Sequence, residues 1–119
     1  MDEKMYNLKK LNEIAQGDHG FVQEMLVTFV ENVTTDIGNI QSLKLAENWT
    51  VIAETAHKLA SNFAYLGATS LQILAGDIEK RVLNDQNLTG IAEKTEKLCY
   101  QGSLLINQVK KDFAFMITN

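Results

Sequence analysis

Not one proline interrupts the 119 residues of this chain, and apolar side chains recur along most of it at three- and four-residue spacing. Proline breaks or kinks a helix because it lacks an N–H and its ring clashes with the preceding turn, so nothing here forbids long helices. No stretch sustains the apolar–polar alternation of a half-buried strand. The fold class that follows is all-α. The spacing predicts a short helix over Leu8–Gln16, using Leu8, Leu11 and Ile14 or Ala15, and a break at Gly17-Asp18 where Asp18 caps the next helix.

The second helix is expected from about His19 to Ala46. Its buried face is Val22, Leu26, Phe29, Val33, Ile37 and Ile40, widened by Phe21, Met25 and Val30. Thr34, Thr35 and Gly38 weaken its middle and favour a bend there. Asn48 caps a third helix over Trp49–Leu66, with Ile52, Ala56, Leu59, Phe63 and Leu66 as core positions. Gly67 ends it. A fourth helix spans about Ala68–Leu83 and buries Leu71, Leu74, Ala75, Ile78 and Val82. Asn84-Asp85-Gln86-Asn87 reads as a loop, and a last helix covers about Thr89–Ile117 through Ile91, Leu98, Leu105, Val109, Phe113 and Met116. Short connections between amphipathic helices predict one domain over residues 1–119, an antiparallel up-and-down four-helix bundle with a short extra N-terminal helix as a lid.

The formal net charge of −4 argues against nucleic acid as the main partner. No apolar run approaches the roughly 18 residues needed to span a membrane, and the charged Met1-Asp2-Glu3-Lys4 start does not resemble a signal peptide. A cytoplasmic protein is therefore expected. Asn32, Asn48 and Asn87 each begin an Asn-x-Ser/Thr triplet, read here as chance matches. Cys99 is the only cysteine, which excludes an intramolecular disulfide and a cysteine-based zinc site.

His57 carries the strongest chemical information. It sits one residue, about 100°, off the apolar stripe of its helix, so the imidazole is expected at the boundary or outside it. Its same-face neighbours Ala53, Ala60, Ser61 and Ala64 are all small, which allows another protein to approach closely. Glu54, three residues back, either orients the ring or is simply solvated. A lone helical histidine is by itself most often a surface residue with no role.

The string Ala56-His57-Lys58-Leu59-Ala60-Ser61-Asn62-Phe63-Ala64-Tyr65-Leu66-Gly67-Ala68 resembles the phosphorylation-site helix of histidine-containing phosphotransfer (HPt) domains, whose usual pattern is Ala-His-x-Leu-Lys-Gly-Ser-x-x-x-Leu-Gly-Ala. The resemblance extends outward. It takes in Tyr6-Asn7-Leu8, Gly17-Asp18, Phe21, Phe29, Ala46 to Trp49 and Leu71 to Glu79, and so most of the chain. It implies a phosphorelay carrier in a two-component system: His57 would accept a phosphoryl group from the aspartate of a receiver domain and pass it to another receiver. Two positions depart from the pattern. Ala60 stands where the family commonly has a lysine that reaches the phosphoryl group, and Ser61 where it commonly has glycine.

Other groups are brought near by counting across the Gly67 turn. His57 lies ten residues before Gly67, so antiparallel packing sets it level with Asp77–Glu79, and Lys80 and Arg81 follow. Glu79 occupies the offset where the family places a polar side chain beside the histidine. Lys58, Ala60, Ser61, Ala64, Glu79 and Lys80 are thus the expected phosphate or partner contacts, with Tyr65 at the partner's rim. Trp49 and Phe63 read as packing residues, and nothing is expected of His19.

A neutral imidazole nitrogen is a competent nucleophile, and unperturbed imidazoles titrate near pH 6.5, at about the ordinary histidine value. The chain has no phosphate-cradling glycine loop and no Walker lysine, so it is expected to be a carrier without ATP-dependent kinase activity. No cofactor is expected of its own; Mg²⁺ and the acid cluster should belong to the receiver. The partners implied are receiver domains of response regulators and hybrid histidine kinases, met by a monomer. A kinase dimerisation helix fits poorly, because Lys58 follows the histidine and proline is absent. Glu54-Thr55-Ala56-His57 matches one Glu-x-x-His pair of a di-iron bundle, but two are required. The remaining alternative is a receiver-binding scaffold of the same fold that takes no phosphate.

Overall fold

A computed structural model describes residues 4–85 and 88–114. They form five α-helices and a π-helical turn: α1 (Lys9–Ala15), α2 (His19–Leu45), α3 (Trp49–Tyr65), α4 (Thr69–Lys80), the π turn Arg81–Asp85, and α5 (Ile91–Asp112). No strand occurs among the described residues. Each α2 and α3 start is fixed by a side chain that satisfies an otherwise orphaned amide. Asp18 accepts from the Phe21 N–H at 3.0 Å and Asn48 from the Val51 N–H at 3.4 Å, caps of a kind worth about 1 kcal/mol.

Helix α2 packs against α3 and α5, α4 packs against α3 and α5, and α1 lies on α2. The faces that meet are the apolar stripes read from the sequence. Leu26, Val33, Ile40, Ile52, Ala56, Leu59, Phe63, Leu66, Ala75, Ile78, Leu98, Leu105 and Val109 are all fully excluded from solvent. Helix α5 approaches α2 closely, since a Cβ on Gly102 would stand 2.7 Å from Ile37 Cδ1.

The structure alters several local expectations. In α1 it is Ala15 that is buried, while Ile14 is 48% exposed. Helix α4 ends at Lys80, and the chain continues as the π turn, keeping Val82 half-buried against the core. Asn84 and Asp85 therefore belong to a helical turn rather than a loop; Gln86 and Asn87 lie outside the described residues. Helix α2 runs unbroken through Thr34, Thr35 and Gly38. The described part of the last helix ends at Asp112, with Phe113 half-buried; Met116 and Ile117 lie outside the described residues.

The segment before α1 straps the far ends of α3 and α5 together. The Asn7 N–H donates to the Leu66 carbonyl at 2.9 Å, the Met5 N–H to Gln108 Oε1 at 2.8 Å, and the Tyr6 hydroxyl to Asp112 Oδ2 at 2.6 Å. Lys4 Nζ pairs with the same Asp112 oxygen at 2.5 Å. Burial, followed by the bond to the Asp112 carboxylate, pushes the Tyr6 hydroxyl well above its ordinary range, while Lys4 and then Tyr6 hold Asp112 below the usual carboxylate range. Gly67 makes the strap possible. Its φ of +64° suits glycine, and a Cβ there would stand 2.8 Å from the Asn7 carbonyl oxygen.

Candidate functional site

His57 lies midway along α3 with its side chain 67% exposed. Leu59 and Phe63 on the same helix are fully buried, so the core anchors α3 and leaves the imidazole outside. Its Nδ1 is 2.9 Å from Glu79 Oε2 on α4. The close partner is thus Glu79 across the turn, while Glu54 on α3 itself is exposed. A carboxylate only accepts hydrogen bonds, so a neutral ring that keeps its proton on Nδ1 turns that proton to Glu79 and leaves its lone pair on Nε2.

The small residues around the ring divide. Ser61 is exposed, Ala60 and Ala64 are half-buried, and Ala53 is fully buried, so Ala53 does not contribute to an open face. Tyr65 is 38% exposed. Its ring stacks on Phe29 of α2 at 5.6 Å between centroids, with Lys10 Nζ of α1 4.9 Å from its centre. Together Ser61, Ala64 and Tyr65 continue the surface from His57 towards Lys10 of α1. The half-buried Trp49 packs against the core and Phe63 lies fully within it.

The cations named from the sequence are placed differently from one another. Lys80 is exposed on α4. Arg81 is turned to the α5 side, where its Nε bonds Asp77 Oδ2 at 3.1 Å and Lys94 of α5 pairs with the same oxygen at 3.2 Å. Although partial burial raises the Asp77 carboxyl, these two cations hold it below the ordinary value. Lys58 is on the opposite flank of α3, its Nζ 3.6 Å from Asp36 Oδ1 of α2. Asp36 escaped sequence reasoning. It lies one residue before Ile37 on the stripe of α2, and only its 7% exposure reveals it as the one buried charged residue among those described.

Among the described residues no three His, Cys, Asp or Glu side chains converge as ligands for a metal ion, and no helix is long and apolar enough to cross a membrane. No curated protein and no solved structure matches the chain. The family model of the Hpt domain, however, matches residues 24–111, well over half of the chain and all of the helix that bears His57, and the chain belongs to the Hpt domain family.

Proposed function

We propose that this protein is a phosphohistidine carrier that takes a phosphoryl group onto His57 Nε2 from the aspartyl phosphate of a receiver domain and gives it to the aspartate of another. The observation that carries the reading is the Nδ1–Glu79 contact at 2.9 Å beside a side chain left 67% exposed. It supports a fixed tautomer whose nucleophilic nitrogen faces outward. In the forward step the Nε2 lone pair forms the N–P bond as the P–O bond of the acyl phosphate breaks, and the receiver's carboxylate leaves. The Nδ1 proton stays on the ring, facing Glu79, and offsets charge as the phosphoimidazole becomes cationic. The return step is the reverse. Mg²⁺ and its acidic ligands are supplied by the receiver, and this chain contributes the nucleophile and the surface that orients it.

The docking surface in this reading is Ser61, Ala60 and Ala64 around His57, with Tyr65 at the rim, Lys58 on the α2 flank, and Glu79 and Lys80 on the α4 flank. The helices are read as an antiparallel up-and-down four-helix bundle of a single domain. In support, Lys58 meets Asp36 and Tyr65 meets Phe29 as numbers rise along α3 and fall along α2. A monomer acting in the cytoplasm fits a role that needs this one face open.

The test is incubation with a ³²P-labelled receiver. Label should move to the wild-type chain in an acid-labile, alkali-stable form and be absent from His57→Gln. Equal labelling of the variant would sink the reading, and a wild type that binds the receiver without taking label would establish the scaffold instead.

A further inference from the structure

The family's usual lysine is missing at Ala60, and the structure contains another means of offsetting phosphate charge. Glu79 engages the Nδ1 edge of His57 from the α4 side. The two ring nitrogens of an imidazole point away from each other, so this contact aims Nε2 away from α4. On that far flank stands Lys58, the residue next to His57, drawn towards α2 by Asp36. Asp36 is a carboxylate placed where a carboxylate is costly: on the buried stripe of α2, 7% exposed. The other buried polar side chains of the described residues are satisfied locally, Thr55 by the Val51 carbonyl and Thr95 by the Ile91 carbonyl. Asp36 instead reaches for a cation on the neighbouring helix.

The separation matters as much as the pairing. At 3.6 Å the Asp36–Lys58 pair is an ion pair longer than an ordinary N–H···O bond of roughly 2.7–3.2 Å. The ammonium has three donors, and the Lys58 side chain is 65% exposed. It is held in direction by a buried anion while keeping donors for a second one.

We propose that Lys58 is the cation that meets the phosphoryl group on His57, and that Asp36 is the positioning residue that holds it on the Nε2 flank. The proposal rests on the carrier reading above and adds to it the identity of the charge partner and its tether. The charged groups around the phosphohistidine are then Asp36 from α2, Glu54 and Lys58 from α3, and Glu79 and Lys80 from α4. Only Asp36 and Lys58 are varied, so Glu54, Glu79 and Lys80 form a constant background.

The experiment uses the full chain phosphorylated by phosphoramidate, whose P–N bond breaks with loss of ammonia as Nε2 binds phosphorus, so no receiver is needed. The phosphohistidine ³¹P resonance is followed against pH, and circular dichroism of each variant reports the fold. A nearby ammonium disfavours proton uptake by the phosphoimidazole. Lys58→Met should therefore raise the titration midpoint by about half a pH unit, a roughly threefold change in proton affinity, and Lys58→Arg should restore it. Asp36→Asn should raise the midpoint when Lys58 is present and not when residue 58 is Met. A purely structural Asp36 would alter unfolding and leave the resonance where it was. The proposal is overturned by a Lys58→Met midpoint equal to that of the wild type. It is overturned equally by an Asp36→Asn shift that is downward or the same in both backgrounds. A wild-type chain that takes no phosphoryl group on His57 would instead refute the carrier reading itself.

Discussion

The two flanks of α3 are held to their neighbours in opposite ways. Towards α4, His57 meets Glu79 at 2.9 Å and both side chains are partly exposed. Towards α2, a buried carboxylate meets an exposed ammonium at the looser distance of 3.6 Å. The first arrangement costs the fold little, since both groups keep access to water. The second takes Asp36 out of water for a pair whose exposed partner returns only modest stability. A costly group with no evident structural return is the kind of violation that proteins keep at working sites.

Three substitutions test that contrast. The largest effect is expected at the turn that sets the α4 flank. Gly67→Val forces a β-branched residue to a φ of +64° and into the Asn7 carbonyl, which should cost about 3 kcal/mol in urea unfolding followed by the fluorescence of Trp49. Wild-type stability would show that the strap and turn yield easily. Next, Glu79→Ala should slow labelling of His57 by about tenfold through loss of ring orientation, with unfolding shifted by no more than about 0.5 kcal/mol. A large loss of stability with unchanged labelling would make Glu79 a structural residue. The smallest change belongs to the α2 flank: Asp36→Leu should leave stability unchanged or raise it by up to about 1 kcal/mol. Destabilisation by more than that would show that the pair holds α2 to α3 after all.

The same contrast explains what the sequence disclosed. Period alone locates the buried faces of α2 and α3, because burial of large apolar side chains at three-four spacing dominates helix packing. Glu79 was also within reach, since a tight turn at Gly67 fixes the register of α3 and α4 and residues can be counted across it. Asp36 was not, because a periodic stripe treats an acidic residue as a gap and says nothing about which cation lies opposite. Ile14 and Ala15 were a real ambiguity: both fit the spacing in so short a helix, and tertiary packing chose the smaller. The π turn went unseen because Asn84 and Asp85 have the local chemistry of a loop, while half-buried Val82 keeps the backbone wound. The HPt resemblance read around His57 agrees with the family match over residues 24–111.

The strap formed by Lys4, Met5, Tyr6 and Asn7 has a consequence for how the protein can be handled. It brings the beginning of the described chain beside Gln108 and Asp112, near its end, and both lie by the turn at Leu66 and Gly67. His57 is ten residues up α3 from Gly67, about 15 Å along the helix axis. A fluorophore or a surface anchor attached at Lys4 or at Asp112 therefore starts well away from the imidazole. For the same reason a chain trimmed to Lys4–Phe113 and joined there by a short peptide should yield a circular permutant, opened near Thr89, that keeps the histidine face intact.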